Sequence, residues 1–274
     1  MAFSSALGAV CGAAALFCLS GARAAETTTI VLASTTSLQD SGLFGHILPA
    51  FTRATGIEVR VVAQGTGQAL ATAANGDADL VLVHDPAAEA TFIAAGHGVS
   101  RTEIAWNDFI LVGPDADPAH VSGLASATDA LTAITAAHAV FVSRGDKSGT
   151  DAAEKRLWHA AGIVPAGSWY RDIGGGMGAA LNAASAMGGY TLSDRGTWLS
   201  YGNKGGMKIV LQGDSRLLNF YDVILLSPKL HPQAKQAPAH RLAEWLASAE
   251  GQAMIAGYTR SGETLFHSEA DPKP

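Results

Sequence analysis

Residues 27–37 read Thr-Thr-Thr-Ile-Val-Leu-Ala-Ser-Thr-Thr-Ser. The first part of this stretch is β-branched and apolar, which is typical of a strand buried on both faces of a sheet. At its carboxyl end come four consecutive hydroxyl residues, Ser34, Thr35, Thr36 and Ser37. A single Ser or Thr is enough to cap the helix expected next. Because open α/β sheets bind ligands beyond the carboxyl ends of their strands, four in a row favour ligand contact for at least two.

Strand and helix patterns alternate along the rest of the chain. Apolar β-branched runs predict strands at 27–33, 57–63, 80–83, 109–112, 140–142, 189–192, 209–211 and 223–226. Helical spacing of apolar residues predicts helices at 43–52, 68–74, 87–95, 152–161, 178–186, 239–248 and 251–258. This order predicts βαβ units and an α/β fold.

The same alternation predicts two α/β lobes. The first is built from both ends of the chain, residues 26–108 and 216–274, and the second from residues 109–215. Polar or glycine-rich loops at 114–118 and 204–206 are the places where the chain is expected to pass between them.

The first 25 residues are predicted to be a cleaved signal peptide, which places the mature protein in the periplasm. An apolar run is followed by the small residues that signal peptidase needs, although no Lys or Arg precedes the run. Serines and glycines interrupt the run, which argues against a membrane anchor. Cys11 and Cys18 both lie within it, so the mature chain is expected to contain no disulfide and no thiolate site.

Charge excludes one large class of partner. The formal net charge is −6 over 274 residues, and removal of Arg23 with the signal peptide makes it −7. An acidic chain without a basic stripe is not expected to bind nucleic acid. An anionic ligand would have to be held by local dipoles and one or two arginines.

A second hydroxyl-rich turn reads Ser-Arg-Gly-Asp-Lys-Ser-Gly-Thr at residues 143–150, again between a strand and a helix. Its last three residues offer two hydroxyls and consecutive backbone N–H groups, and Gly149 permits close approach of the backbone. Arg144 can supply a permanent forked cation. Asp146 is expected to orient that arginine or to cap the turn. The alternative is a capped turn carrying a surface ion pair, worth at most about 1 kcal/mol.

Three weaker candidates end other strands. The turn at 190–198 could bring a hydroxyl or Arg195 to the cleft, although a solvated ion pair explains it nearly as well. Thr66 lies between two glycines after the second strand and is a candidate ligand residue. His84 ends the third strand and is interpreted as a structural, hydrogen-bonded histidine.

Several catalytic and cofactor motifs are missing from the sequence. The glycine run at 174–178 lacks a preceding strand and the Lys-Ser/Thr ending of a phosphate-binding loop. There is no H-E-x-x-H, paired-cysteine or G-x-S-x-G motif, and the histidines lack metal-ligand spacing. We therefore predict no cofactor, no directly bound metal ion and no enzymatic activity.

Five segments together resemble the tungstate-binding proteins of tungstate ABC importers, over nearly the whole mature chain. They are residues 34–43, 65–70, 76–86, 143–150 and 190–198. The core of the 143–150 segment is also similar to the site of phosphate-binding proteins. In the tungstate-binding family, Thr commonly stands where this chain has Ser34, and His commonly stands where it has Asp151.

The resemblance implies a two-lobed periplasmic binding protein (type II, cluster C-like) that closes around its ligand and delivers it to the membrane permease of an ABC importer. It implies tungstate as ligand, with molybdate as a weaker one. It also implies which residues contact the oxyanion, namely Thr35, Thr36, Ser37, Arg144, Ser148, Gly149 and Thr150. A monomer is expected.

Two other functions stay open from the residues alone. The first is binding of phosphate or sulfate, since Asp146 could accept the proton that phosphate carries near neutral pH. The second is a secreted hydrolase that would combine Ser148, His84 and Asp85. Only the presence of these residue types in the sequence supports this alternative.

Overall fold

A computed structural model describes residues 1–2, 28–260 and 262–273. The predicted signal peptide at residues 1–25 therefore lies outside the described residues, except for Met1 and Ala2. Among the described residues, no helix is both long and apolar enough to cross a membrane.

Strands and helices alternate as the sequence predicts. The strands are β1 (Thr28–Thr35), β2 (Ile57–Gln64), β3 (Leu80–Val83), β4 (Gly98–Pro114), β5 (Phe141–Ser143), β6 (Tyr170–Asp172), β7 (Thr191–Asp194), β8 (Met207–Leu211), β9 (Leu218–Leu226), β10 (Thr259–Arg260) and β11 (Glu263–Thr264). The helices are α1 (Thr36–Ser41), α2 (Leu43–Thr55), α3 (Thr66–Ala74), α4 (Pro86–Ala94), α5 (Ala127–Ala136), α6 (Gly149–Ala160), α7 (Met177–Met187), α8 (Arg195–Ser200), α9 (Gln236–Ala247) and α10 (Ala249–Ala256), with a 3₁₀ turn at Ser215–Leu217.

One long strand links two sheets. In the first, the order is β2-β1-β3-β9-β4, with β1 parallel to both neighbours and β9 antiparallel to β3 and β4. The part of β4 up to Asp108 pairs with β9, and the part from Phe109 onward pairs with β7 and β8. β5 continues the second sheet beside β7 through backbone hydrogen bonds of Tyr190, and β6 pairs with β5.

The predicted crossing loops are not where the chain passes between the sheets. β4 runs without a break to Pro114, so the first passage lies inside this strand. The loops at 114–118 and 204–206 lie side by side beyond the β4–β8 pair, where Asp115 N donates to Gly206 O at 2.8 Å. Pro114 and Asp115 mark the end of β4 and of its pairing with β8, and not a boundary between the lobes.

Each sheet is buried on both faces by helices. In β1, Ile30 and Leu32 pack into one hydrophobic cluster while Ala33 packs into another on the opposite face. The second sheet repeats the pattern, since Phe109 and Ile110 enter different clusters. Alternate residues of a strand point to opposite faces, so apolar runs in these strands fill two layers of core at once.

The clusters divide the described chain into two packing units. The first unit draws its core from residues up to Ala105 and from Tyr221 onward, and the second unit from residues 109–217. Leu217 belongs to the second unit, two residues beyond the expected edge at 215/216. The α/β prediction is confirmed, and the lobe boundaries at 108/109 and 215/216 stay a prediction.

Candidate functional site

A cavity of about 300 Å³ lies between the two packing units. From the first unit come residues of α1, and from the second come Arg144, residues at the start of α7 and residues of α8. Its lining consists of Thr36, Ser37, Asp40, Ser41, Arg144, Gly176, Met177, Gly178, Ala179, Gly196, Thr197 and Ser200. Three of the predicted ligand residues, Thr36, Ser37 and Arg144, therefore meet at one cavity.

The first hydroxyl-rich turn divides its residues between structure and cavity. Ser34 is fully buried and its hydroxyl donates to Leu82 O at 2.6 Å, so it joins β1 to β3 and does not reach the cavity. Thr35 is the N-cap of α1, and its Oγ1 accepts from Leu38 N at 3.3 Å. The next two residues open the helix at the cavity wall. Of the four candidates, Ser34 and Thr35 thus have structural roles, and Thr36 and Ser37 line the cavity.

Arg144 is held by a neighbouring carboxylate. It follows β5, is 7% exposed, and donates through Nε and Nη2 to Oδ2 of Asp146. Its Nη1 also donates to Thr150 Oγ1 at 3.3 Å. The expectation that Asp146 orients Arg144 and caps the turn agrees with these contacts, since Asp146 Oδ1 accepts from Ser148 N at 3.1 Å.

The electrostatics of Asp146 keep it ionised. Burial alone would raise the pKa of Asp146, but hydrogen bonds from Ser148 and Arg144 lower it below its ordinary value. Both carboxylate oxygens are already used by these donors. Asp146 thus holds the arginine through one oxygen and caps the turn through the other.

The rest of the second turn forms the start of α6. Ser148 is its N-cap, with Oγ accepting from Asp151 N at 3.3 Å, and Thr150 is buried. Gly149 comes so close to His84 that a Cβ atom there would lie 2.9 Å from Nδ1 of the imidazole. Since Gly149 belongs to the second unit and His84 to the first, this is a direct contact between the units beside the cavity.

Asp151, which stands where the family commonly has His, is neutralised locally. It is 2% exposed, and its Oδ2 accepts from Lys155 Nζ at 2.6 Å and from Lys147 N at 3.2 Å. The hydrogen bond to Asp151 raises the pKa of Lys155 above its ordinary value. The cation one helical turn away therefore offsets the negative charge that Asp151 adds near the turn.

Arg195 lies away from this cavity. Its Nε and Nη2 donate to the two carboxylate oxygens of Asp108, each at 2.6 Å, and Nη2 also donates to Gln212 at 2.9 Å. It lines a different pocket, with Trp106 and His267. Because both carboxylate oxygens of Asp108 bind this guanidinium, the structure gives no support for Arg195 as a ligand residue.

Thr66 is also not among the residues that line the cavity. It is the first residue of α3 and is 3% exposed. Its Oγ1 is buried and has no hydrogen-bond partner among the described residues. An unpaired buried hydroxyl is uncommon in folded proteins.

Residues that sequence reasoning missed complete the wall. The glycine run set aside as a nucleotide motif supplies Gly176 and Gly178 at the start of α7. The third turn contributes Thr197 and Ser200 instead of the arginine. A loop of small residues directly before a helix is the sequence signal for this part of the wall.

The three residues of the hydrolase alternative do not form a catalytic set. Ser148 Oγ caps α6, while the His84 nitrogens contact Ser37 and Asn219. Asp85 caps α4 through Ala87 N and Ala88 N. No hydrogen bond joins any two of these three side chains in the described part of the chain, so a nucleophile–base pair is not formed.

Two α/β units joined by a long shared strand, with a cavity between them that hydroxyl residues and an arginine line, define the class of two-lobed solute-binding proteins. The model of the PBP superfamily domain matches residues 22–250. Tungstate-binding protein TupA of Peptoclostridium acidaminophilum is 43% identical over 88% of this chain and 86% of its own length. The Campylobacter jejuni TupA is 36% identical over 85% of this chain and 88% of its own.

Solved structures agree with the sequence relatives. The tungstate-binding protein TupA from Desulfovibrio alaskensis G20 superposes with a TM-score of 0.81 at 42% identity, over 89% of this chain and all of that one. The tungstate ABC transporter from Geobacter sulfurreducens gives a TM-score of 0.77 at 41% identity, over 84% of this chain and 98% of that one. The chain belongs to the PBP superfamily and, within it, to the family of TupA tungstate-binding proteins.

Proposed function

We propose that this protein is the substrate-binding component of an ABC importer and that it captures tungstate, with molybdate as a weaker ligand. The observation that carries the proposal is the convergence of Thr36 and Ser37 from one unit with Arg144 from the other at a single cavity. The family relationship supports the same ligand.

The proposed site is built for an anion that carries no proton. Tungstate offers only acceptor oxygens at neutral pH, so a suitable site presents hydroxyls, amides and a cation. Arg144 supplies the cation, and residues of α1, α7 and α8 line the same cavity. Asp146 holds Arg144 in place and caps the turn at Ser148 N, and it is not among the residues that line the cavity.

The proposed ligand residues come from the two hydroxyl-rich turns. Thr36, Ser37 and Arg144 line the cavity. Behind this lining, Thr150 accepts from Arg144, Ser148 N donates to Asp146, and Gly149 packs against His84. Closure of the two units around the anion would exclude water and strengthen each hydrogen bond. An anion of the wrong size would leave some donors unpaired.

The remaining roles rest on the family and on the sequence. The protein acts in the periplasm after removal of residues 1–25, works as a monomer without catalysis, and presents its closed form to the membrane permease of the importer. The absence of a nucleophile–base pair among the three residues of the hydrolase alternative supports a binding role.

Calorimetric titration of the purified chain from residue 26 onward with tungstate, molybdate, sulfate and phosphate tests the ligand. Tungstate should bind most tightly, molybdate more weakly, and the other two not measurably. A ligand present at a hundredfold its dissociation constant should also raise the free energy of unfolding by about 2.7 kcal/mol. Binding of phosphate or sulfate in preference to both metal oxyanions would overturn the assignment.

A further inference from the structure

His84 is the buried residue at which the first unit, the second unit and the proposed ligand turn meet. It is 4% exposed at the end of β3. Its Nε2 lies 3.1 Å from Ser37 Oγ and its Nδ1 lies 3.1 Å from Asn219 Oδ1. Gly149 of the second unit packs against the ring, and the ring of Tyr221 lies 5.0 Å away.

The hydrogen bonds of Asn219 fix which nitrogen of His84 carries a proton. Asn219 Nδ2 donates one hydrogen to Asn107 Oδ1 and the other to Tyr221 Oη, each at 2.8 Å. Its Oδ1 can only accept, so the Nδ1 of His84 must be the donor of their bond. In the neutral imidazole Nε2 is then an acceptor, and the hydroxyl of Ser37 must donate to it.

These hydrogen bonds leave Ser37 without a proton to donate into the cavity. Ser37 has a single hydroxyl proton, and it is directed to His84. Thr35 Oγ1, 3.2 Å from Ser37 Oγ, must then donate to Ser37 because Ser37 has no second proton to give. With His84 neutral, Ser37 therefore offers only lone pairs to the cavity that it lines, and lone pairs repel the oxygens of an unprotonated anion.

We propose that His84 is a positioning residue that takes up one proton when the oxyanion binds, and so decides whether Ser37 accepts from the ligand or donates to it. The protonated ring donates from Nε2 to Ser37 Oγ, which frees the Ser37 hydroxyl to donate to an anion oxygen. The proton comes from solvent, and no covalent bond is made or broken. The inference rests on the proposed function and gives the site its preference for an anion without a proton.

The charges around His84 set the balance between its two forms. Asp194, the N-cap of α8, and Asp85, the N-cap of α4, favour the protonated ring, and Arg144 opposes it. Burial is the largest influence and lowers the pKa of His84 below its ordinary value, so the ring is neutral in the empty protein at neutral pH. An anion against Ser37 adds negative charge close by, which favours protonation.

Proton uptake gives tungstate affinity a defined dependence on pH. Above the pKa that His84 has in the complex, affinity is constant at its lower value. Between that pKa and the lower one of the empty protein, each unit decrease in pH should raise affinity up to about tenfold. Below both, affinity is constant again. The loss of affinity on raising pH thus occurs across the window between the two pKa values.

Calorimetry of tungstate binding at several pH values between about 6 and 8, each in two buffers of different ionisation enthalpy, measures the protons taken up. The wild-type protein should take up as much as one proton per tungstate, and His159→Gln, which alters an exposed histidine of α6, should behave the same. His84→Gln keeps a hydrogen-bonding side chain without titration, so uptake and pH dependence should both disappear. Uptake that survives in His84→Gln would overturn the inference.

A second measurement needs no variant. The ¹⁵N shifts of the histidine rings, followed against pH with and without tungstate, should show one buried ring whose pKa rises on binding. Tungstate binding with no proton uptake and no raised histidine pKa would refute the role of His84 while leaving the proposed function intact. Failure of tungstate to bind at every pH would instead refute the proposed function itself.

Discussion

The backbone of Gly149 lies directly against the imidazole of His84, so that a Cβ atom at position 149 would come within 2.9 Å of Nδ1. These residues belong to different packing units, and the contact borders the proposed ligand turn, since His84 also bonds Ser37 at 3.1 Å. A side chain at 149 would therefore hold the two units apart at the place where they close.

The first prediction follows from this contact. Gly149→Ala should disfavour the closed form by about 1–3 kcal/mol, the usual cost of inserting a methyl group into a packed contact, and tungstate affinity should fall accordingly. The stability of the ligand-free protein should change little, because the open form relieves the clash and alanine favours the helix. Titration calorimetry measures tungstate affinity, and small-angle scattering measures closure of the two units. Scanning calorimetry measures the stability of the ligand-free protein.

Gly45→Ala is the matched control for that change. Gly45 is an exposed residue inside α2, and a Cβ atom there would meet nothing within 4 Å. This variant should gain about 0.5–1 kcal/mol of stability from helix propensity and bind tungstate as the wild type does. Equal affinities for Gly149→Ala and Gly45→Ala would show that the Gly149–His84 contact does not govern closure.

The second prediction concerns the proposed cation. Arg144→Ala should weaken tungstate binding by about 2–5 kcal/mol, at least a roughly 30-fold loss, because the only arginine lining the described cavity is removed. Arg171→Ala, which alters an exposed arginine of β6, is the control and should bind normally. An unchanged affinity in Arg144→Ala would remove this residue from the site.

The third prediction concerns Arg195, which sequence reasoning placed in the cleft. Arg195→Ala should leave tungstate affinity within about threefold of wild type, because its guanidinium is bound by Asp108 at 2.6 Å and lines another pocket. Loss of this partly exposed ion pair should lower the free energy of unfolding by about 1 kcal/mol. A loss of affinity comparable to that of Arg144→Ala would return Arg195 to the ligand set.

The fourth prediction is a pH effect on stability from a buried carboxyl group. Burial, followed by the nearby charge of Asp222, raises the pKa of Glu89 to about 8, although Arg101 lies 2.8 Å from it. The folded protein therefore keeps a proton that the unfolded chain loses near pH 4.5, so stability should fall as pH rises from there to about 8. The slope from one group is at most about 1.4 kcal/mol per pH unit.

Urea unfolding of Glu89→Gln between pH 5 and 8 isolates this contribution. The variant should lose part of the wild-type slope, whereas Glu244→Gln, at an exposed position of α9, should keep all of it. Glu154, whose pKa burial raises to about 7, adds a slope of the same sign in every variant. Parallel stability curves for wild type and Glu89→Gln would contradict the assignment.

Much of the fold could be predicted because both faces of its central strands are buried. The apolar run at Leu80–Val83 and the strand from Thr28 were predicted nearly to their ends. The part of β4 before Asp108 was missed because Arg101 and Glu103 interrupt its apolar pattern. Arg101 is explained by Glu89 and Asp222, partners that no local pattern reveals.

The candidate site was predictable where its residues follow strands directly. Thr36, Ser37 and Arg144 were found in this way, because a strand-to-helix turn is visible in the sequence. The position of Arg195 depends on Asp108, 87 residues away, and so could not be read locally. The contact of His84 with Gly149 likewise depends on how the two units meet.

The proposed site has one anion position between the two turns, and anomalous diffraction from tungsten in a crystal grown with tungstate measures it directly. We predict a single strong peak in the cavity, with oxygens of the anion within hydrogen-bond distance of both Ser37 and Arg144. A tungsten peak elsewhere on the molecule, or one that contacts only one of the two packing units, would contradict the account.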